Sequence, residues 1–310
     1  MTTDTSKPAF ENLAYGPHAR HRLDLWLAPG RPSPLVMHVH GGGWMKGDKV
    51  DIRNDRMLPR YLEAGFSVAS ISYRYTDDTP APGQMLDTAR AVQYVRLHAP
   101  EWGIDPGRIT LTGGSAGGVN ILWVAFHDDL AAPDDPDPIA RQSTRVAGVF
   151  AVNTPTFFDL RSIEGKIPGH PERHPAMVPL LGLGPNGYND PRAEGILRSI
   201  SPLYLATAAA PPICLWYGRR DVELAKPDPG YAIHHPRFGA ILKRRLDELG
   251  VPCIYRCRDH YPDLDDQQIN DRLVEDRIEL MSALLSPKRP PVPVTARHSS
   301  PTDAPAAPRA

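Results

Sequence analysis

Short apolar runs alternate with longer amphipathic stretches from Leu23 to Tyr255. This alternation is typical of successive β–α units around a mostly parallel sheet. The apolar runs predict strands at residues 23–27, 35–40, 66–73, 109–112, 146–152, 213–217 and 253–257. Apolar residues spaced three and four apart predict helices at 53–64, 85–98, 116–127, 238–249 and 267–285. We therefore expect an α/β domain with a central sheet of about eight strands and helices on both faces.

Two segments depart from this rhythm. Residues 154–210 are rich in Pro, Gly and His, contain no clear strand, and separate two strands expected to be neighbours. Such an insertion is expected to cap or border the mouth of a site, although a surface excursion without function is the alternative. The end of the chain, 287–310, is rich in Pro, Ala and Ser and is expected to be disordered. The folded domain is thus predicted at 21–286, after an extension at 1–20.

Composition excludes several classes of protein. The 310 residues are 41% hydrophobic and 23% charged, which is typical of a globular chain. Lys and Arg total 35 against 36 for Asp and Glu, so no strong field attracts nucleic acid. The beginning of the chain is polar, and no apolar run approaches the roughly 18 residues that span a bilayer. We expect a cytoplasmic protein without a membrane span, whose three cysteines are reduced.

A nucleophile motif lies between a strand and a helix. Gly113, Ser115 and Gly117 form G-x-S-x-G directly after the strand RITLT and before an apolar helix. A nucleophile on such a tight turn holds strained backbone angles, and side chains at 113 and 117 would collide with their neighbours. The motif by itself is weak, because a glycine-rich turn of this kind also binds phosphate.

A second glycine run strengthens the interpretation. His40, Gly41, Gly42, Gly43 and Trp44 follow the apolar strand LVMHV. Glycines at this point let backbone N–H groups face a site without obstruction by side chains. The N–H groups of Ala116, Gly42 and Gly43, or of Gly41, are expected to form an oxyanion hole. One such donor contributes about 3 kcal/mol to transition-state stabilisation.

The motifs HGGGW at 40–44, SYRY at 72–75, GIDPGRI at 103–109 and GGSAGG at 113–118 resemble the HGGG-type esterase/lipase branch of the α/β-hydrolases. The resemblance covers residues 23–285. It implies the α/β-hydrolase fold and a triad in the chain order Ser, acid, His. It also implies short-chain acyl esters or acylated sugars as substrates, with no cofactor.

The resemblance leaves two candidates for the acid. Asp221 follows a strand, a glycine and two further residues, as in the family pattern, and is the first choice. Family members usually place the aspartate about ten residues before the next helix, and that count leads to Asp228 instead. Both alternatives stay open.

The expected base is His260, which follows the strand CIYRC. An imidazole suits the role because its ordinary pKa of about 6.5 lets it accept and return a proton near neutral pH. Relatives carry this histidine a few residues later, so either the loop is shortened or the base is absent. His234 and His235 precede the helix at 238–249 and are expected to have helix-start or surface roles, with a position at the mouth of the site as the alternative.

No metal is expected. His38 and His40 lie two apart on a strand, yet no third ligand follows at a suitable spacing. His40 is expected instead to brace the oxyanion loop. Asp87 is expected to support loops, and Asn153 and Thr154 lie at a strand end where substrate contacts are possible.

The sequence therefore predicts a serine hydrolase that acts on small-molecule carboxylic esters through Ser115, Asp221 and His260. Two alternatives stay open, an amide hydrolase and a hydrolase-like binding protein without catalysis. The acyl group, the alcohol and the oligomeric state do not follow from the sequence.

Overall fold

A computed structural model describes residues 7–159 and 163–285. Within these ranges one sheet of eight strands has the order β1-β2-β4-β3-β5-β6-β7-β8. The strands are β1 (Phe10–Ala14), β2 (Arg22–Trp26), β3 (Ser33–Val39), β4 (Ser67–Ile71), β5 (Ile104–Gly114), β6 (Gly148–Val152), β7 (Ile213–Tyr217) and β8 (Cys253–Cys257). Strand β2 pairs antiparallel with β1 and β4, whereas the strands from β4 to β8 pair in parallel. The predicted α/β-hydrolase architecture is confirmed.

Helices connect the strands. They are α1 (Met57–Glu63), α2 (Gly83–Trp102), α3 (Ala116–Phe126), α4 (Met177–Leu181), α5 (Ala193–Ser199), α6 (Pro202–Leu205), α7 (Pro229–Ala232), α8 (Arg237–Glu248) and α9 (Asp266–Leu285). Short 3₁₀ turns lie at Lys49–Asn54, Pro171–Arg173, Gly187–Asn189 and Arg258–His260. In the described ranges no helix is both long enough and apolar enough to span a membrane.

The predicted helix at 53–64 is divided. Asp48 caps the 3₁₀ turn Lys49–Asn54, since its side chain accepts a hydrogen bond from the N–H of Val50. Asp55 then adopts an extended conformation before α1 begins. Polar side chains that satisfy backbone donors locally compete with a continuous helix, which explains the interruption.

The sheet begins earlier in the chain than predicted. Strand β1 lies within the segment expected to be an N-terminal extension, and Leu13 pairs with Leu23 of β2. The residues of β1 are mostly exposed, so the alternation of apolar and polar positions is weak there. Pairing with β2, a long-range contact, therefore decides this strand.

Alternation along the central strands divides the core between the two faces of the sheet. Met37 and Val39 of β3 join the apolar cluster that includes the buried residues of α2 and α3. Val36 of β3 and Phe150 of β6 join the opposite cluster, with residues of α1 and α9. Successive side chains in a strand point to opposite faces, so one strand contributes to both layers.

In the described part of the 154–210 insertion, short helices and turns replace strands, as expected. Phe157, Phe158 and Leu180 are fully buried, so the insertion packs into the main core. A Cβ atom placed on Gly43 would lie 3.0 Å from the Cβ of Ala176, which puts the insertion against the glycine-rich loop. The predicted tail at 287–310 lies outside the described residues.

Candidate active site

Ser115 occupies the tight turn between β5 and α3. Its φ of 52° and ψ of −122° lie in a region that L residues rarely adopt. The N–H of Ser115 donates to the carbonyl of Val152 at 3.0 Å, and this bond fixes the turn to β6. A strained residue held by its surroundings at a strand-to-helix turn is the geometry of a nucleophile elbow.

The flanking glycines are required by space. A Cβ on Gly117 would lie 2.2 Å from the carbonyl oxygen of Val39, and a Cβ on Gly113 would lie 2.7 Å from the same oxygen. Neither distance is tolerable, because backbone atoms of a central strand cannot move aside. The close approach of α3 to β3 therefore depends on these two glycines.

Ser115 is paired with His234. Its Oγ lies 2.8 Å from the Nε2 of His234, which is within hydrogen-bond distance. On the other side of the ring, Nδ1 lies 3.1 Å from the carbonyl oxygen of Gly230. A carbonyl only accepts hydrogen bonds, so Nδ1 carries the proton and Nε2 has a free lone pair directed at the serine hydroxyl.

The imidazole of His234 is neutral near pH 7. Burial, the positive charge of Arg219 and the proximity of His174 lower its pKa to about 4, against a smaller opposing effect of the Gly230 carbonyl. A neutral imidazole accepts a proton, whereas a protonated one does not. The geometry and the protonation state thus agree on His234 as an acceptor for the Ser115 proton.

The structure does not bring His260 to Ser115, contrary to the sequence prediction. His260 ends a 3₁₀ turn that starts immediately after β8, and its Nδ1 accepts from the N–H of Cys257 at 3.4 Å. Its ring is exposed and stands edge-on to Tyr255, with 5.5 Å between the ring centroids. A turn that begins directly at the strand end keeps this side chain close to its own strand. The pairing of Ser115 with His260 is therefore corrected to a pairing with His234.

Neither candidate aspartate touches the His234 ring. Asp221 is 42% exposed and accepts from the Nε of Arg237 at 2.8 Å. The carboxylate of Asp221 lies nearer to His235, at 3.9 Å from the Nε2 of that residue. Asp228 caps α7 by accepting from the N–H of Tyr231 at 2.8 Å. Among the residues that the structure describes, a main-chain carbonyl stands where a triad would have a carboxylate.

The expectation of a helix-start or surface role for His234 is also corrected. A signal was present in the sequence, since His234 and His235 lie in the segment between β7 and α8, where the family carries its acid. The short helix α7, capped by Asp228, turns this segment so that Gly230 and His234 face each other across one turn. No periodicity or spacing predicted that turn.

The HGGGW loop lies beside the elbow. A Cβ on Gly41 would lie 3.0 Å from the carbonyl oxygen of Gly114 and 3.6 Å from the Cβ of Ser115. Gly42 and Gly43 have φ values of 102° and 61°, a region open to glycine. Their N–H groups donate no hydrogen bond to any described residue. Free donors of this kind beside a nucleophile are what an oxyanion hole requires.

Aromatic and hydroxyl groups hold this loop in place. The ring of His40 stacks on Tyr73 with 4.2 Å between centroids, and its Nδ1 bonds the Gly41 carbonyl at 2.8 Å. The hydroxyl of Tyr73 donates to the His40 carbonyl at 2.8 Å. The indole N–H of Trp44 donates to the Asn120 side chain at 2.9 Å and ties the loop to α3.

Buried polar groups support the same region. The carboxylate of Asp87 lies 3.0 Å from the Nε2 of His21. It also accepts hydrogen bonds from the guanidinium and from the main-chain N–H of Arg74. Asn153 lines the cavity at Ser115, and its side-chain oxygen accepts from the N–H of Gly218 at 2.8 Å. Thr154 is fully buried and lies against α3.

Ser115 and His234 line a cavity of about 400 Å³. The volume is within the range of small-molecule sites in proteins. His38, Asp55, Arg219 and Arg277 are among the polar residues that line it. Within 7–159 and 163–285, no group of three or more His, Cys, Asp or Glu side chains is arranged to hold a metal ion.

Comparison with known proteins gives related sequences. The BD-FAE family model matches residues 23–227. Esterase LipQ of Mycobacterium tuberculosis is 30% identical over 220 residues, which are 68% of this chain and 48% of LipQ. The probable carboxylic ester hydrolase LipM of the same organism is 29% identical over 222 residues, 68% of this chain and 47% of LipM. The chain thus spans about half the length of the curated relatives it matches.

Solved structures with the same fold are also found. A truncated form of a carbohydrate esterase from gut microbiota superposes with a TM-score of 0.69 at 19% identity, covering 91% of this chain and 98% of that one. Thermogutta terrifontis esterase 2, phosphonylated by sarin, superposes with a TM-score of 0.65 at 19% identity, covering 91% and 98%. At this level of identity the likeness concerns the fold alone.

Proposed function

Since this chain belongs to the BD-FAE family, in the HGGG-type esterase branch of the α/β-hydrolases, we propose that it hydrolyses small carboxylic esters with Ser115 as nucleophile and His234 as general base. The observation that carries this proposal is the 2.8 Å distance between Ser115 Oγ and His234 Nε2. A nucleophile and a base within hydrogen-bond reach on an elbow are the minimum machinery for acyl transfer.

The reaction starts with proton transfer. Nε2 of His234 takes the hydroxyl proton of Ser115 while Oγ bonds to the ester carbonyl carbon, and the carbonyl π electrons move onto its oxygen. The N–H groups of Ala116 and of Gly42 or Gly43 donate to this oxyanion. Ala116 is the first residue of α3, so its N–H has no carbonyl partner within the helix and the helix dipole favours negative charge there.

The acyl-enzyme forms when the oxyanion collapses. The bond between the carbonyl carbon and the alcohol oxygen breaks, and Nε2–H of His234 protonates the departing alkoxide. Water then attacks the acyl-enzyme, His234 takes one of its protons, and collapse returns that proton to Ser115 Oγ. The acid is released, and the enzyme is regenerated.

The carbonyl of Gly230 replaces a triad carboxylate in this scheme. It holds the tautomer in which Nε2 is free, and it partly stabilises the imidazolium through its dipole. A neutral carbonyl stabilises that cation less than a carboxylate does. The base is therefore weak, and the scheme favours esters, whose alcohol leaves more readily than an amine.

The test is covalent labelling together with hydrolysis. A fluorophosphonate probe is expected to label the wild-type chain, and Ser115→Ala is expected to abolish labelling. Matched aryl acetates and acetanilides then separate esterase from amidase activity, with the acetates expected to react faster. Absence of labelling would favour a hydrolase-like binding protein, and anilide rates equal to the ester rates would favour an amide hydrolase.

A further inference from the structure

The cavity at Ser115 extends beneath the elbow. His38, Thr112 and Phe150 are partners in register across β3, β5 and β6. Phe150 belongs to the apolar cluster on the face covered by α1 and α9. His38 and Thr112 line the cavity, which therefore reaches from Ser115 toward that face.

Arg277 of α9 faces this space from the opposite side. The residue is 8% exposed and lines the cavity, and its guanidinium carbon lies 5.2 Å from the centroid of the Phe150 ring. Its Nε atom is buried and has no hydrogen-bond partner among the described residues. Within the described ranges no carboxylate lies within 4.0 Å of the guanidinium. By contrast, Arg272 of the same helix pairs with Asp276 and Glu275.

A buried guanidinium without a carboxylate partner is unfavourable, because its desolvation is not offset by an opposite charge. The hydroxyl of Tyr61 in α1 lies beside Arg277 and Thr112: burial raises its pKa, whereas the charge of Arg277 and the side chains of Thr112 and Arg277, as hydrogen-bonding neighbours, act to lower it. Arg277 thus has neutral neighbours, the hydroxyl of Tyr61 and the ring of Phe150, but no carboxylate partner among the described residues. This is the environment that an anionic group would satisfy.

The charges around the cavity favour an anion. Arg219 and Arg277 line it, against the single acidic side chain of Asp55 among its described lining residues. The carboxylate of Asp55 accepts from the N–H of Met57 at 2.9 Å, which directs one of its oxygens to the start of α1. His38 adds no positive charge near neutral pH, because burial lowers its pKa to about 4.

We propose that this cavity binds a carboxylate carried by the ester substrate, and that the Arg277 guanidinium is its receptor. The inference rests on the proposed function, since it names the substrate class of the Ser115 site. A planar guanidinium pairs with a carboxylate through two parallel hydrogen bonds. The enzyme therefore selects monoesters of dicarboxylic acids, or hydroxy acids that are acylated on the hydroxyl and keep a free carboxylate, over neutral esters of the same size.

Hydrolysis of matched esters tests this selection. Two pairs place the carboxylate on either side of the ester bond: 4-nitrophenyl hydrogen adipate against 4-nitrophenyl methyl adipate, and 4-acetoxybenzoate against its methyl ester. In at least one pair, kcat/KM for the anionic ester is expected to exceed that for the neutral ester about tenfold or more. Equal values in both pairs, or preference for the neutral ester, would overturn the proposal.

Variants then test the receptor. Arg277→Met is expected to lower the ratio of anionic to neutral kcat/KM about tenfold, whereas Arg244→Met, the same change at an exposed position of α8, leaves both rates unchanged. Arg277→Lys is expected to lose part of the preference, because an ammonium cannot form the paired hydrogen bonds. If Arg277→Met does not fold, Arg277→Lys decides. A preference unaffected in the folded variant would overturn the role of Arg277.

Binding separates this inference from the proposed function. Calorimetric titration of Ser115→Ala with 4-acetoxybenzoate and with its methyl ester measures selection without catalysis. Tighter binding of the carboxylate supports the site even if no ester is hydrolysed, in which case the proposed function alone fails. Hydrolysis of neutral esters without selective binding of the carboxylate would overturn the anion site and leave the proposed function intact.

Discussion

The Nε2 of His234 lies 2.8 Å from the Oγ of Ser115, although 119 positions separate the two residues along the chain. Strand β5 presents the serine at the elbow, and the segment between β7 and α8 presents the histidine. The ring is oriented by the carbonyl of Gly230 and not by a side-chain acid. This arrangement leads to predictions that differ from those of a complete triad.

Removal of the base is the most direct prediction. His234→Ala is expected to lower kcat for an aryl ester about 10³-fold or more, because proton transfer from Ser115 is lost. His260→Ala, the matched change in the exposed turn after β8, is expected to leave kcat unchanged. Steady-state kinetics on both folded variants provides the measurement. Loss of activity in His260→Ala with retention in His234→Ala would restore the pairing predicted from the sequence.

The two aspartates are expected to be dispensable for the chemistry. Asp221→Asn and Asp228→Asn should each change kcat less than about tenfold, whereas loss of a triad carboxylate lowers kcat about 10⁴-fold. Asparagine keeps the capping oxygen at 228, so α7 stays in place. A loss of several orders of magnitude in either variant, measured with the same ester, would show that its carboxylate acts on His234 during turnover.

The acid limb of the pH profile is expected near pH 4. His234 accepts a proton only when neutral, and burial and Arg219 lower its pKa to about 4. The value of kcat/KM should therefore be maintained below pH 6.5 and should fall as the pH drops through about 4. Arg219→Met removes a neighbouring positive charge, which raises the pKa of His234 and moves the acid limb to higher pH.

The control for this profile is Arg244→Met, an exposed change in α8 that removes the same charge. Its acid limb is expected to coincide with that of the wild type. A wild-type limb between pH 6 and 7, or a limb that does not move in Arg219→Met, would mean that burial and Arg219 do not set the titration of the base.

Packing at the elbow predicts a large effect of a single methyl group. Gly117→Ala places a Cβ 2.2 Å from the carbonyl oxygen of Val39 and 2.4 Å from that of His40, both of which are backbone atoms. We expect a loss of about 3 kcal/mol or more in the free energy of unfolding, because the contact is relieved only by moving α3 from the sheet.

Gly195→Ala is the matched control in α5. A Cβ at this exposed helical position meets no atom of the described part of the chain within 4 Å. The free energy of unfolding is expected to rise by up to about 1 kcal/mol, because alanine favours the helix. Chemical denaturation of both variants gives the comparison. Equal stability of Gly117→Ala and the wild type would contradict the close approach of α3 to β3.

The hydrophobic pattern accounts for most of the fold. The strands Ile213–Tyr217 and Cys253–Cys257 lie at the predicted residues. The helix predicted at 238–249 begins and ends one residue earlier, and the helix predicted at 267–285 begins one residue earlier and ends as predicted. Buried strands and amphipathic helices carry their periodicity locally, so the sequence alone indicates them. Strand β1 and the break before α1 were missed, because a pairing with β2 and a capped turn decide them.

The sequence by itself determined the elbow and the glycine-rich loop of this protein. Local backbone geometry requires these residue types at Ser115, at Gly117 and at the glycines 41–43. A short sequence motif is enough to indicate such a local requirement. Only the tertiary structure decided which histidine meets Ser115 and which group orients it. That choice depends on how the loops after β7 and β8 turn in space, and a loop's direction follows from capping and packing contacts that no local pattern records.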